Sequence, residues 1–159
     1  MEGKEFQALI CQAIHKLLQD PPEFSSQPQN SLFYKFSQTP SISIEEYIAR
    51  VSKYTKLPLD FLVIPFLYLK RSRLSLTHKS IHRFLITCTC VASKTLTDQY
   101  FTNKFYAKVG GISVRELNRL ELELLILLDW NVQITAEEFE DVKRFIIKVS
   151  SIPEEEEEE

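Results

Sequence analysis

Between Arg83 and Lys94 the chain carries no charge, and the stretch HRFLITCTCVASK points apolar or small side chains in every direction. A helix of that kind is apolar all round and must be buried on all sides. A strand is the rival reading, because Phe, Ile, Thr, Cys and Val suit a pleat and short apolar runs are ambiguous by periodicity alone. The run extends past ten residues and its neighbours read as helices, so it is assigned as a central helix. Lys94, a lone cation, ends the run.

A chain of 159 residues has room for one domain and can bury about 70% of its unfolded surface. With 44% hydrophobic residues a folded core is expected. The formal net charge of −3 and a pI near 5.7 give no electrostatic reason to expect nucleic acid or an anionic membrane as partner. No apolar run reaches the roughly 18 residues that span a bilayer. The opening MEGKEFQALICQ has acidic residues and no signal core, so secretion is not expected. Three cysteines, two of them (Cys88 and Cys90) inside the uncharged run, fit reduced thiols in the cytoplasm or nucleus. Only Gly3, Gly110 and Gly111 are glycines, which argues against a phosphate-cradling loop.

Residues 4–19 place Phe6, Leu9, Ile10, Ala13, Ile14, Leu17 and Leu18 at helical spacing, up to Pro21 and Pro22. A proline-rich surface connector follows over 20–40, pinned by Leu32, Phe33, Tyr34 and Phe36. Ser43 to Glu46 forms a capping box and opens a helix with Ile44, Tyr47, Ile48, Val51 and Tyr54 on one face. Pro58 and Asp60 open the next, in which Pro65 predicts a kink or a broken first turn. Thr77 is the predicted N-cap of the central helix. A short helix from Tyr100 to Val109 stops at Gly110-Gly111. Ser113 to Glu116 and Thr135 to Glu138 form two further capping boxes, the first opening a helix through Leu117, Leu120 and Leu124. The second opens a last helix through Phe139, Val142 and Phe145, and the run Glu154 to Glu159 reads as a disordered tail. The class is all-α, with seven helices, one of them buried at the centre of the others.

Little here suggests catalysis: there is no nucleophile–base–acid arrangement, metal-ligand cluster or nucleotide loop, so no enzyme activity, cofactor, metal or small-molecule substrate is expected. His78 and His82 sit at i, i+4, but no Cys, Asp or Glu joins them and Arg83 is adjacent. Cys88 and Cys90 read as small core residues. Lys70, Arg71, Arg73, His78, Lys79, His82 and Arg83 cluster around one inter-helix turn, read as a solvated face, with a docking site for a phosphorylated segment as the rival.

A series of short motifs carries a resemblance. Tyr47-Ile48-x-Arg50 is followed by Tyr68-Leu69-x-Arg71, His82-Arg83-Phe84 and Ala92-Ser93-Lys94. Then come Asn103-x-x-Tyr106-Ala107-Lys108-Val109-Gly110-Gly111-Ile112 and Glu116-Leu117-Asn118-x-Leu120-Glu121. Over roughly residues 32 to 140 this resembles the cyclin box, in the form found in single-box P- and U-type cyclins related to the fungal phosphate-regulating cyclin. The resemblance implies a five-helix box over residues 41–133, its helices starting near Ser43, Pro58, Thr77, Tyr100 and Ser113, with the third central. It places residues 1–40 outside as an N-terminal helix and connector, and 134–159 as a C-terminal helix and acidic tail.

What the resemblance implies for function is a regulatory subunit that binds and activates a cyclin-dependent protein kinase as a heterodimer, in the cell cycle or a related process. Lys94 and Glu121 match positions expected to lie together and to hydrogen-bond the kinase around its regulatory helix. Trp130 matches a position where cyclins place an aromatic against that helix, although a core aromatic remains an alternative. The alternative function is a cyclin-fold scaffold or transcription-factor-like module binding peptide or nucleic acid without a kinase. Two departures stand out. Lys70 replaces an Asp that pairs with the Arg matching Arg50, so Lys70 is expected to face solvent. Glu46 to Arg50 does not match the substrate-docking patch of mitotic cyclins, so no such groove is expected.

Overall fold

The computed structural model describes residues 3–22, 31–34 and 40–150. Among them seven α-helices follow one another: α1 (Gly3–Gln19), α2 (Ile44–Thr55), α3 (Ile64–Ser72), α4 (Ile81–Leu96), α5 (Asn103–Gly110), α6 (Val114–Leu127) and α7 (Ala136–Ser150). Short 3-10 turns occupy Leu32–Tyr34 and Leu59–Leu62, and no strand element occurs among the described residues.

The uncharged run is α4, and α2, α3, α5 and α6 all pack on it. Phe84, Ile86, Cys88, Cys90 and Ala92 are buried at 0–1% exposure. Its threonines raise no demand for solvent, because Thr87, Thr89 and Thr95 each donate to the carbonyl four residues earlier, at 2.6–2.8 Å. In that rotamer each threonine presents its methyl to the neighbours, so α4 behaves as an apolar rod. Outside this group, α1 and α7 pack against each other, α1 also touching α2 and α7 touching α3. Leu32–Tyr34 is pinned as expected: Phe33 is buried, its ring edge-on to Phe84. The Leu32 amide donates to Glu123, and the Tyr34 hydroxyl accepts from the Ser75 amide. Phe36 and Glu154 to Glu159 lie outside the described residues.

Four local expectations need correction. α4 begins at Ile81, four residues after Thr77, because a turn intervenes: the Thr77 carbonyl accepts from Ser80 and Ile81 amides while Ser80 Oγ accepts from the Thr77 amide. α5 begins at Asn103 instead of Tyr100, because Thr102 caps it by accepting from the Phe105 amide. The segment after Pro58 is a 3-10 turn instead of the start of a helix; the broken first turn expected from Pro65 is there, since α3 begins only at Ile64 and Pro65 lies in its first turn, where a missing amide costs nothing. Of the three capping boxes, only Thr135–Glu138 is reciprocal among the described residues; Ser43 and Ser113 accept from the amides of Glu46 and Glu116, but the Glu116 carboxylate turns instead to Arg83, at 2.6 Å.

The glycine pair has two separate jobs. Gly111 takes φ 72° and closes α5, with the Ile112 amide reaching the Ala107 carbonyl and the Gly111 amide that of Lys108. That double bond pattern is a Schellman stop. Gly110 instead gives α5 room to touch α4, since a Cβ there would lie 2.6 Å from an Ile86 side-chain atom. From α2 the Tyr47 hydroxyl donates to the Gly110 carbonyl at 2.9 Å.

The presumed basic cluster disperses. Arg71 pairs with Glu138 and Arg83 with Glu116, while Lys70 is exposed, as expected. His82 is buried, its Nε2 2.8 Å from the Ile42 carbonyl and its ring edge-on to Tyr47. Among the described residues His82 Nδ1 has no partner.

Two predictions follow from this packing. Gly110→Ala should cost about 2 kcal/mol through overpacking against Ile86, and Gly111→Ala about 1 kcal/mol through left-handed strain. Guanidinium titrations giving the reverse order would contradict the packing account. Burial lowers the His82 pKa, although its bonds to the Ile42 and Ser43 backbone oppose that shift. The unfolded chain then binds the extra proton first, so stability should fall as pH drops below about 6.5. His82→Gln, which keeps a donor for Ile42, should flatten that fall in urea titrations at pH 7.5 and 5.5; an unchanged slope would assign the loss elsewhere.

Candidate functional site: a charged pair on a partly apolar edge

Lys94 stands in the last turn of α4 and Glu121 midway along α6. Nζ lies 2.9 Å from Oε2 and 3.2 Å from Oε1, so the ammonium straddles both carboxylate oxygens. The side chains are 30% and 19% exposed, which puts the pair at the rim of the core. Sequence reading placed these two residues side by side, and the geometry agrees.

What aligns them was not anticipated. Cys90, one turn before Lys94, donates its thiol to Glu121 Oε2 at 2.9 Å. Asn103, opening α5, sends its amide to Asn118 at 2.7 Å and toward Glu121 Oε1 at 3.5 Å. Three helices therefore hold one carboxylate. Ser93 adds a lock beside Lys94: its hydroxyl and that of Tyr106 are 2.6 Å apart, and the Tyr106 hydroxyl also accepts from the Phe101 amide. The reading of Cys90 as a core residue holds for its burial and omits this contact. A thiol is a weak donor by type, so only its distance to a carboxylate reveals the role.

The electrostatics follow from that shell. Burial alone pushes the Glu121 carboxyl up, but bonds from Cys90 and Lys94, the charge of Lys94 and the Asn103 amide outweigh it and hold the group below its ordinary value. Burial lowers Lys94, yet contact with Glu121 leaves it raised on balance. Burial, then the adjoining carboxylate, drives the Cys90 thiol far up, so it stays protonated and donates. Nζ has three donors and engages a single carboxylate, so it retains capacity toward an incoming acceptor.

Trp130 lies just past α6. The Trp130 amide bonds the Leu125 carbonyl and the Asp129 amide that of Ile126, both at 2.9 Å. This is again a Schellman stop, built here without glycine: Asp129 and Trp130 take φ 52° and 61°. Two consecutive non-glycine residues in that region carry strain of order 1 kcal/mol each. The indole is 62% exposed, so it is not a core aromatic. The loop is tied from below, because the Tyr68 hydroxyl donates to the Val132 carbonyl at 2.8 Å and Arg71 to that of Asn131 at 2.9 Å. Those are the Tyr-Leu-x-Arg residues of α3. Between the pair and the indole, α6 exposes Leu122 (52%) and Ile126 (58%). Sequence reading passed over both, since in a leucine-rich helix the buried and exposed leucines differ only in phase. Among the described residues no group of His, Cys, Asp and Glu could hold a metal ion, and no helix is long and apolar enough to cross a membrane.

A family model described as Cyclin matches residues 7–132. Cyclin-U1-1 of Arabidopsis thaliana is 42% identical over 112 residues, covering 65% of this chain and 51% of that protein. Cyclin-P3-1 of Oryza sativa subsp. japonica is 39% identical over 114 residues, 69% of this chain and 48% of that protein. The Nuc-1 negative regulatory protein preg of Neurospora crassa is 41% identical over 99 residues, 59% of this chain and 20% of that protein. The chain thus spans about half the length of the plant relatives it matches.

The pair is testable by itself. Glu121 contributes stability that is present above its unfolded pKa of about 4.3 and lost as pH falls through its lower folded value. Carboxyl carbon NMR should place its midpoint in the folded chain below that of the unfolded chain. In Lys94→Met that midpoint should rise, because burial is then opposed only by Cys90 and Asn103. An unmoved midpoint would mean that the pair does not set the carboxylate's charge.

Proposed function

The chain belongs to the cyclin family, and from that premise we propose that it is the regulatory subunit of a cyclin-dependent protein kinase, with residues 41–133 as the working box. The observation that carries the reading is the edge built by Lys94, Glu121, Leu122, Ile126 and Trp130. It joins a pre-aligned ion pair to three exposed apolar side chains on one helix and its cap. Large aromatic and aliphatic anchors beside a fixed polar pair are what a protein interface concentrates its binding energy on. Exposed apolar groups of this size, adjoining one another, mark a surface that a partner covers.

The mechanism is positional. The free donor of Lys94 and the remaining lone pairs of Glu121 would meet backbone groups flanking the kinase's regulatory helix. Leu122, Ile126 and Trp130 would cover that helix's apolar side. Docked in this way, the helix is held inward and its glutamate pairs with the lysine that positions the nucleotide phosphates. The cyclin itself contributes no reacting group, only the population of the active kinase conformation. Such a complex would operate in the cytoplasm or nucleus.

Glu121 is a poor first target, since its half-buried carboxylate holds three helices together. Trp130 separates folding from binding. Trp130→Gly removes an exposed ring and relieves a positive φ, so thermal stability should stay level or rise by up to about 1 kcal/mol. Affinity for a cyclin-dependent kinase from the same cell should fall at least about tenfold, as for an interface anchor, with a parallel loss of kinase activation. An unchanged affinity would take Trp130 out of the interface. A wild-type chain that binds no such kinase would overturn the function itself.

A further inference from the structure

Two cations of α2 face α5 across a cleft. Arg50 and Lys53 are three residues apart and share a face, and Lys108 meets them from the last turn of α5. Together with Tyr54, Phe105 and Val109 they line a cleft between the two helices. Arg50 Nη2 donates to the Lys108 carbonyl at 3.2 Å, which fixes the guanidinium there. Lys53 Nζ stands 5.5 Å from the Tyr54 ring centre. All three cations are exposed, and none of them forms an ion pair among the described residues, although Glu46 lies one turn before Arg50. Arg71, Arg83, Lys94 and Arg144, by contrast, are each joined to a carboxylate. A cleft whose three cations have no carboxylate partner among the described residues, on a chain of net charge −3, favours an anion.

We propose that this cleft seats a phosphorylated serine or threonine of a partner polypeptide, its phosphate among Arg50, Lys53 and Lys108 and a neighbouring apolar side chain against Tyr54 and Phe105. A phosphate monoester brings between one and two negative charges and three acceptor oxygens, enough for three cations where one carboxylate is not. The arginine adds a planar fork suited to two phosphate oxygens. The aromatic wall, with Tyr54 half exposed, selects a peptide over a free anion. A nucleic acid would need a basic stripe running past the cleft, and Glu45 and Glu46 at the head of α2 interrupt one. The site is separate from the Lys94–Glu121 edge, which meets α5 at its opposite end through Asn103. It therefore stands whether or not the kinase reading does.

The test uses the full chain and a fluorescein-labelled phosphothreonine peptide pool with randomised flanks, beside the same pool unphosphorylated. Anisotropy at physiological salt should show saturable binding of the phosphorylated pool, at least about tenfold tighter than the unphosphorylated one, as expected for charge-assisted phosphate contacts. Lys53→Glu and Lys108→Glu should each weaken binding about tenfold or more with unchanged melting, since each turns an attraction into a repulsion; Lys70→Glu, the same charge change at an exposed position of α3 outside the cleft, should retain it. Amide shifts on the labelled chain should centre on 49–54 and 105–109. Equal affinity for both pools, no saturable binding, or binding that survives both charge reversals would overturn the proposal. So would displacement of the peptide by inorganic phosphate at equal concentration, which would leave the aromatic wall without a part. If the peptide fails to bind and Lys53→Glu instead shifts the amides of Glu154 to Glu159, the chain's own acidic run is the occupant and the proposal fails.

Discussion

A helix that offers water nothing to solvate decides where everything else goes. Between Arg83 and Lys94, α4 presents methyls, methylenes, thiols and an edge-on ring, and its threonines fold their hydroxyls back onto their own backbone. Each uncovered ångström squared of such a surface costs on the order of 25 cal/mol. Four helices converge on it because every side carries that cost. Charge returns only at its two ends, with Arg83 held by Glu116 and Lys94 by Glu121. α6 is therefore tied to α4 at both ends of the apolar stretch, and its register along α4 is determined by two ion pairs.

The motif residues outside this rod act mostly as ties between a side chain and a neighbouring helix's backbone. Tyr47 and Arg50 hold carbonyls at the end of α5. Tyr68 and Arg71 hold carbonyls just beyond Trp130, and His82 holds the entrance to α2. A helix end leaves carbonyls unpaired, so ties of this sort satisfy the backbone and orient two elements together. The result at the candidate edge is rigidity: one carboxylate clamped by three helices, and one indole on a strained loop fastened from beneath. Pre-alignment of this kind lowers the ordering cost of binding, which suits the proposed role of positioning another protein.

The fold was readable because its strongest signals are one-dimensional. The missing charge in α4, the 3.6-residue spacing in α1, α2 and α6, and the αL stop at Gly111 all lie along the chain. Lys94 and Glu121 were found through motif resemblance, not spacing, since residues 27 apart say nothing about contact. What escaped was three-dimensional. The thiol of Cys90 on Glu121 depends on how α4 and α6 are rotated. The exposure of Leu122 and Ile126 depends on which stripe of a leucine-rich helix meets the core. Seven basic residues close in the chain looked like one basic face, yet carboxylates from α6 and α7 claim two of them and burial removes His82. Arg50, Lys53 and Lys108, which chain order separates, are the ones that meet. Helix starts erred where a turn competed for the same amides, as Ser80 does at Thr77.

The central claim is that the edge formed by the end of α4 and the outer stripe of α6 is the surface a kinase covers. Hydrogen–deuterium exchange of the full chain, alone and saturated with a cyclin-dependent kinase of the same cell, measures that surface directly. The account predicts slowed exchange confined to residues 92–101 and 118–131, with α1 and α7 unchanged. Protection on α1 and α7, with 118–131 exchanging as in the free chain, would contradict it.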